Sequence, residues 1–197
     1  YEPGLDESIG ARAEAMGITP QELAYDTMLK NDGNAMLYFP LMGYDMGDLR
    51  RQVTMLQDEN SVISLADTGA HCGVLSDASV PTYLISYLTR DRPHGVRFEL
   101  EQAVKMHTHD TARCMGLDDR GTLEVGMKAD INIIDYDKLN ILAPKLAYDL
   151  PAGGRRMFQE AEGYRATIVS GEVAMRDGEA TGHLPGKLVR GAQSAPA

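Results

Sequence analysis

The sequence contains no tryptophan, only three phenylalanines and only two cysteines among its 197 residues. Cys72 and Cys114 do not form a Cys-x-x-Cys motif, so neither a disulfide scaffold nor a structural zinc site is indicated. So few cysteines are typical of a reducing compartment, and we expect a cytoplasmic protein. The first residues, Tyr1 to Gly4, resemble an entry loop rather than a signal peptide or a membrane span.

Basic residues are the minority, with 19 lysines and arginines against 29 acidic residues and a net charge of −10. This charge repels both a phosphate backbone and an anionic membrane surface, so we expect neither nucleic acid nor membrane as a partner. A hydrophobic content of 43% is enough for a core and excludes a disordered chain. Because the chain opens at Tyr1 rather than at Met, we expect it to be part of a longer protein.

The first half of the sequence predicts helices that alternate with buried strands. Residues 9–16 have apolar side chains at helical spacing, and residues 19–22 supply an N-cap, a first-turn proline and a capping-box glutamate. The apolar runs at 35–42 and 61–66 lack a helical period and predict strands, with an amphipathic helix at 48–58 between them. Such apolar runs are typical of a parallel sheet covered on both faces.

Residues 81–93, 99–106 and 110–115 predict further helices. From Gly116 onward the prediction changes from helices to short strands separated by glycines. Residues 129–134 predict a strand, and residues 167–175 predict a hairpin that turns at Ser170-Gly171. We therefore predict three parts: βα units at 1–115, a β-rich side domain at 116–190 and a flexible tail at 191–197.

The densest cluster of polar residues follows the strand predicted at 61–66. The run Ser64-Leu-Ala-Asp-Thr-Gly-Ala-His-Cys-Gly73 places Asp67 at a strand end, and its glycines let the backbone turn closely. A carboxylate there can take a proton from a metal-activated water, and His71 can reach the same cavity to hold or polarise a substrate. The alternative is that Asp67 caps a turn and His71 is an ordinary loop histidine.

Other polar residues have weaker signals. Ser76, Asp77 and Ser79 precede a predicted helix, where such residues are typical N-caps. His107 and His109 form a His-x-His pair but fall between helical segments without a third ligand nearby. Four arginines could meet a substrate carboxylate, although arginines in an acidic protein more often pair with carboxylates or strap domains together. They are Arg90, Arg92, Arg155 and Arg156.

Taken together, several motifs in this order resemble the amidohydrolase superfamily, and most closely the N-acyl-D-amino-acid deacylases. They are Asp67-Thr-Gly-Ala-His71, Ser76-Asp-Ala-Ser79, Pro81-Thr-Tyr-Leu84, Arg90-Asp-Arg92, Ala112-Arg113, Gly116 to Asp130 and Asp149-Leu-Pro-Ala-Gly-Gly-Arg-Arg156. The likeness runs over nearly the whole chain.

This resemblance implies an α/β fold that forms the C-terminal part of a (β/α)₈ amidohydrolase barrel, followed by part of a composite β-sandwich. Asp67 matches the family's aspartate after the eighth strand, which touches a metal weakly and moves protons between the attacking water and the leaving amine. Gly69 and His71 fall in the matching loop, where we expect substrate contacts.

The family's other metal ligands follow earlier barrel strands and have no counterparts in this chain. We therefore expect zinc in the full-length protein and no metal in this chain alone, with Asp67 completing the site only in the intact barrel. His107 and His109 lie outside the matching positions and do not replace the missing ligands.

The function that the resemblance implies is metal-dependent hydrolysis of an amide C–N bond in a small N-acyl amino acid, with N-acyl-D-amino acids as substrates. A non-catalytic scaffold or partner-binding relative and a cyclic-amide hydrolase are the alternatives. We expect the isolated chain to be inactive. Because an incomplete barrel leaves strand edges uncovered, we also expect the isolated chain to self-associate.

Overall fold

The computed structural model describes residues 1–40, 43–44, 47–63, 66, 69 and 71–196. Contacts divide the chain into two compact units, Tyr1–Ser61 and Val62–Ala197. Each unit has its own buried apolar side chains. Within the described residues, no helix is long and apolar enough to cross a bilayer.

The first unit opens with two capped helices. Helix α1 spans Ile9–Met16, where the Ser8 hydroxyl accepts the Ala11 N–H at 3.1 Å and Gly17 ends the helix at a φ of 69°. Helix α2 spans Pro20–Met28, and the Thr19 hydroxyl accepts the Glu22 N–H at 3.2 Å. Both predicted helices are confirmed. They could be predicted because side-chain caps and a left-handed glycine are determined by neighbouring residues.

Two shorter helices follow in the same unit, α3 at Lys30–Gly33 and α4 at Arg50–Leu56. The helix predicted at 48–58 is confirmed by α4, in which Val53 is buried. The Glu2 carboxylate accepts the backbone N–H of Leu49 at 2.9 Å, just before α4 begins. This bond satisfies one of the amides that the start of a helix leaves without an internal partner.

The strand predicted at 35–42 is wrong for its described residues, 35–40. These residues have no regular secondary structure, and the side chains of Tyr38 and Phe39 are 63% and 78% exposed. The strand predicted at 61–66 is likewise not formed at residues 61–63 and 66. An apolar run becomes a strand only beside a hydrogen-bonded neighbour, and none of the described strands pairs with either segment.

Two long helical segments begin the second unit. Helix α5 spans Val80–Ser86 and continues into a π-helical turn at Tyr87–Asp91. Helix α6 at Leu100–Lys105 continues through a π-helical turn at Met106–Asp110 into α7 at Thr111–Cys114. The predicted break at His107-Thr-His109 is therefore wrong. The stretch contains neither glycine nor proline, so no residue in it ends the helix, and the backbone passes through it as a π-helical turn.

Eight short strands follow, each named here in chain order: β1 Ile131–Ile134, β2 Asn140–Ile141, β3 Lys145–Leu150, β4 Gly154–Phe158, β5 Ala161–Glu162, β6 Tyr164–Val169, β7 Glu172–Arg176 and β8 Glu179–Ala180. Four of them form a sheet in the order β1-β6-β7-β8, while β2 pairs with β5 and β3 with β4. All these pairings are antiparallel. Short 3₁₀ turns lie at Leu5–Glu7, Asp77–Ser79, Tyr136–Lys138 and Pro151–Gly153.

The hairpin predicted at 167–175 is confirmed by β6 and β7. Its two turn residues, Ser170 and Gly171, have φ angles of 52° and 86°, as a type I′ turn requires. Helix α5 packs against the β-rich region, where Thr82 and the hydroxyl of Tyr164 are hydrogen-bonded at 2.8 Å. Leu139, just before β2, is fully buried and marks the core of this region.

The α/β character of the chain is confirmed by helices up to Cys114 and strands from Ile131 onward. The parallel barrel strands, the composite sandwich and the three predicted domain ranges stay predictions. In the predicted tail, residues 191–197, Gln193 accepts the Asp118 N–H at 2.7 Å and donates its own N–H to the Gly116 carbonyl at 2.8 Å. One point of the tail is thus tied to the start of the β-rich region.

Candidate active site

The candidate active-site loop, residues 67–79, contains the predicted catalytic residue. Asp67 lies outside the described residues, so its role stays a prediction. Gly69 has a φ of 90°, and a Cβ built on it would meet no atom of the described residues within 4 Å. The backbone conformation rather than crowding therefore favours glycine at this position.

His71 lies at the first position of a tight turn in this loop. Its φ is 43°, in the left-handed region that non-glycine residues seldom adopt. Its carbonyl accepts the N–H groups of Val74 at 2.8 Å and Leu75 at 3.1 Å, which hold the turn. The His71 side chain is exposed. Its imidazole is therefore open to a molecule in solution.

Strand β4 holds the loop from the side. The Met157 N–H donates to the carbonyl of Cys72 at 2.5 Å, and the Ser79 hydroxyl donates to the side-chain oxygen of Gln159 at 2.6 Å. The sequence analysis missed Met157 and Gln159, because no local motif marks a contact across about 80 residues. In the sequence, only the family-like motif from Asp149 to Arg156 lies close to Met157 and Gln159.

The predicted N-cap role of Ser76, Asp77 and Ser79 is wrong for these side chains. Neither Ser76 before the 3₁₀ turn nor Ser79 before α5 makes a side-chain capping bond. Ser79 instead donates to the Ser76 carbonyl at 3.2 Å as well as to Gln159. Pro81 in the first turn of α5 lacks an N–H, so one fewer amide there needs a cap.

Arg90 links the helical part of the second unit to its β-rich part. Its guanidinium donates to the carbonyls of Tyr136 and, at 2.6 Å, Leu139, and it lies 5.3 Å from the centre of the Tyr136 ring. The adjacent Asp91 carboxylate raises the pKa of Arg90. This arrangement gives Arg90 a structural role.

Two of the other arginines are also engaged. Arg92 is buried and donates to the Val96 carbonyl at 2.6 Å. Arg156 forms two hydrogen bonds with the Asp149 carboxylate, at 2.8 and 2.7 Å, and these bonds lower the pKa of Asp149. Paired or buried guanidinium groups of this kind are not free to meet a substrate.

The described residues do not fit a metal centre. No group of three or more histidine, cysteine or acidic side chains converges among them. His109 is hydrogen-bonded to Asp110 at 2.9 Å, whereas Nε2 of His107 is buried and has no hydrogen-bond partner among the described residues. The two histidines thus lie in different surroundings.

His107 predicts a pH-dependent stability. Burial lowers its pKa, and the nearby Pro81 backbone carbonyl only partly opposes this. The unfolded chain therefore binds a proton at a higher pH than the folded chain, so the free energy of unfolding should fall as the pH drops below about 6.5. Urea unfolding between pH 7.5 and 5.5 should show a weaker pH dependence for His107→Gln than for the wild type.

His183→Gln is the matched control, because the His183 side chain is 65% exposed. Its pH dependence should follow that of the wild type. Equal slopes for the wild type and both variants would show that His107 does not cause the effect.

Comparison with known families matches residues 37–175 to the amidohydrolase family. This match covers well over half of the chain, including the candidate active-site loop and β4. The chain therefore belongs to the amidohydrolase family, which supports a hydrolase activity in general. Searches of curated proteins and of solved structures found no match.

Proposed function

We propose that this chain is part of a longer protein that hydrolyses the amide C–N bond of N-acyl-D-amino acids. The observation that carries the proposal is the amidohydrolase match, which spans the candidate active-site loop. The ordered motifs from Asp67 to Arg156 support the deacylase branch within that family. In this proposal residues 1–115 complete a barrel, residues 116–190 belong to a composite β-domain, and residues 191–197 form a flexible tail.

Asp67 is the proposed general base and then general acid. It takes a proton from the water whose oxygen attacks the amide carbon. When the C–N bond breaks, Asp67 returns that proton to the departing nitrogen, and the products are a carboxylic acid and a free amino acid. One carboxylate can serve both steps because it ends the cycle in its starting ionisation state.

Zinc in the longer protein is part of the proposal. The described residues contain no metal-binding group, and in this proposal the other ligands of the metal come from the earlier barrel strands of the longer protein. When bound, such a metal supplies an activated water and polarises the amide carbonyl. Asp67 would be a weak ligand only in that intact site.

Gly69 and His71 are the proposed substrate contacts in the loop. The exposed imidazole of His71 offers a hydrogen-bonding group, and no atom of the described residues lies within 4 Å of the position that a Cβ on Gly69 would occupy. The proposed partner is a small N-acyl amino acid, and the proposed compartment is the cytoplasm, where Cys72 and Cys114 would stay free thiols, as they are in the structure. Self-association of the isolated chain stays a prediction.

Amino acid release by the longer protein tests the proposal. N-acetyl-D-amino acids, their L-enantiomers and a cyclic amide such as hydantoin would be supplied in parallel. Faster release from the D-enantiomers supports the deacylase. Opening of the cyclic amide alone would indicate the cyclic-amide hydrolase, and no turnover of any substrate would favour the scaffold.

A further inference from the structure

The β3–β4 hairpin has a fixed position against the candidate active-site loop. The two hydrogen bonds from Met157 to Cys72 and from Ser79 to Gln159 join the loop to β4 and to the residue just beyond it. Two bonds at separate points fix orientation as well as distance. Side chains of β4 that face the loop are therefore held beside it.

Arg155 and Arg156 are neighbours in β4 with different surroundings. Successive residues of a strand point to opposite faces, so only one of them can lie on the face of Phe158. Arg156 lies there, 4.7 Å from the ring centre, and pairs with Asp149. Arg155 lies beside the loop, where its Nε is 3.8 Å from the position that a Cβ on Gly73 would occupy.

Arg155 is the one arginine of the four singled out in the sequence that has no partner among the described residues. Its side chain is exposed. This is unexpected in a chain with 29 acidic and 19 basic residues, where carboxylates are in excess. A guanidinium presents a planar fork of N–H donors that matches the two oxygens of a carboxylate. Arg155 is thus open to a carboxylate from solution.

We propose that Arg155 binds the carboxylate of the substrate and thereby sets the preference for N-acyl amino acids over neutral amides. This inference rests on the proposed function, because that function supplies an anionic substrate at the loop. Gly73 carries no side chain that would cover the guanidinium. Arg155 is a substrate-binding residue in this scheme and takes no part in the proton transfers of Asp67.

The test compares two probes that share one scissile bond, N-acetyl-D-methionine and its primary carboxamide. In the longer protein, Arg155→Met should reduce kcat/KM for the acid by about 10- to 100-fold, mainly through a higher KM. It should leave kcat/KM for the carboxamide nearly unchanged. The ratio between the two probes is therefore the quantity to measure.

Arg156→Met is the matched control, because it removes the same charge one residue away. It should lower the stability through loss of the Asp149 pair and keep the acid-to-carboxamide ratio of the wild type. Chemical modification by phenylglyoxal gives a readout that does not depend on turnover. N-acetyl-D-methionine should protect Arg155 from the reagent in peptide mass spectrometry, and the carboxamide should not.

The outcomes separate this inference from the proposed function. If the wild type turns over the acid but Arg155→Met keeps the wild-type acid-to-carboxamide ratio, Arg155 does not bind the substrate carboxylate, and the hydrolase proposal stands. The same conclusion follows if Arg156→Met changes this ratio as much as Arg155→Met does. No turnover by the wild type, but protection of Arg155 by the acid, would reject the hydrolase and keep a carboxylate site. No turnover and no protection would reject both.

Discussion

Asp67→Asn in the longer protein should lower kcat for N-acyl-D-amino acids by about 10²- to 10⁴-fold, the usual contribution of a general acid–base group. Asparagine has nearly the same shape as aspartate but cannot take a proton from water at neutral pH. KM should change much less than kcat, because the substitution acts on proton transfer rather than on substrate binding. Steady-state kinetics on N-acetyl-D-methionine would measure both.

Asp77→Asn is the control for this prediction. It makes the same chemical change ten positions later in the same loop, at a side chain that is exposed in the structure. Its kcat should stay close to that of the wild type. Near-normal turnover by Asp67→Asn would reject Asp67 as the general base, whereas an equal loss in both variants would indicate a general disturbance of the loop.

Gly163→Ala should destabilise the second unit by about 3 kcal/mol, since it adds both backbone strain and overpacking. Gly163 has a φ of 93°, and a Cβ on it would lie 2.6 Å from the Cα and 2.7 Å from the N of Leu139. These are backbone atoms next to a fully buried side chain, so they cannot move aside easily. The midpoint of urea unfolding would measure the loss.

Gly178→Ala separates the two causes. Gly178 has a nearly equal φ of 88°, but a Cβ there would meet no atom within 4 Å in the part of the chain that the structure describes. This variant should lose only the strain contribution, about 1 kcal/mol. Equal losses in the two variants would mean that the close approach to Leu139 has no energetic effect.

Features that depend on neighbouring residues were predictable from the sequence. Helices α1 and α2 follow from Ser8, Thr19 and Gly17, which satisfy or end the helix within one turn. The turn at Ser170-Gly171 follows from the need for two residues with positive φ. In each case the determining contact spans a few residues, so a local pattern contains the information.

Features that depend on distant partners were not predictable in this way. The apolar run at 35–42 has the composition of a buried strand, yet its described residues pair with no strand, and residues 36–39 are exposed. The π-helical turn at Met106–Asp110 also escaped prediction, because a widened turn has no apolar period of its own.

In the candidate site, too, features set by neighbouring residues were predictable and features set by distant residues were not. Asp67, Gly69 and His71 could be singled out from the sequence because they share one short motif at the end of a predicted strand. The contacts of Met157 with Cys72 and of Gln159 with Ser79 join residues about 80 positions apart, and only the fold brings them together. The separate surroundings of Arg155 and Arg156 likewise required the hairpin geometry.

The attachment of Gln193 to the backbone of Gly116 and Asp118 has a practical consequence for handling the protein. A stop codon introduced after Arg190 would remove both hydrogen bonds and uncover the junction between the last helix and the first strand. An affinity tag fused at Ala197 should therefore be separated from the chain by a flexible spacer. The tag should also be removed before hydrogen exchange of residues 116–118 is measured.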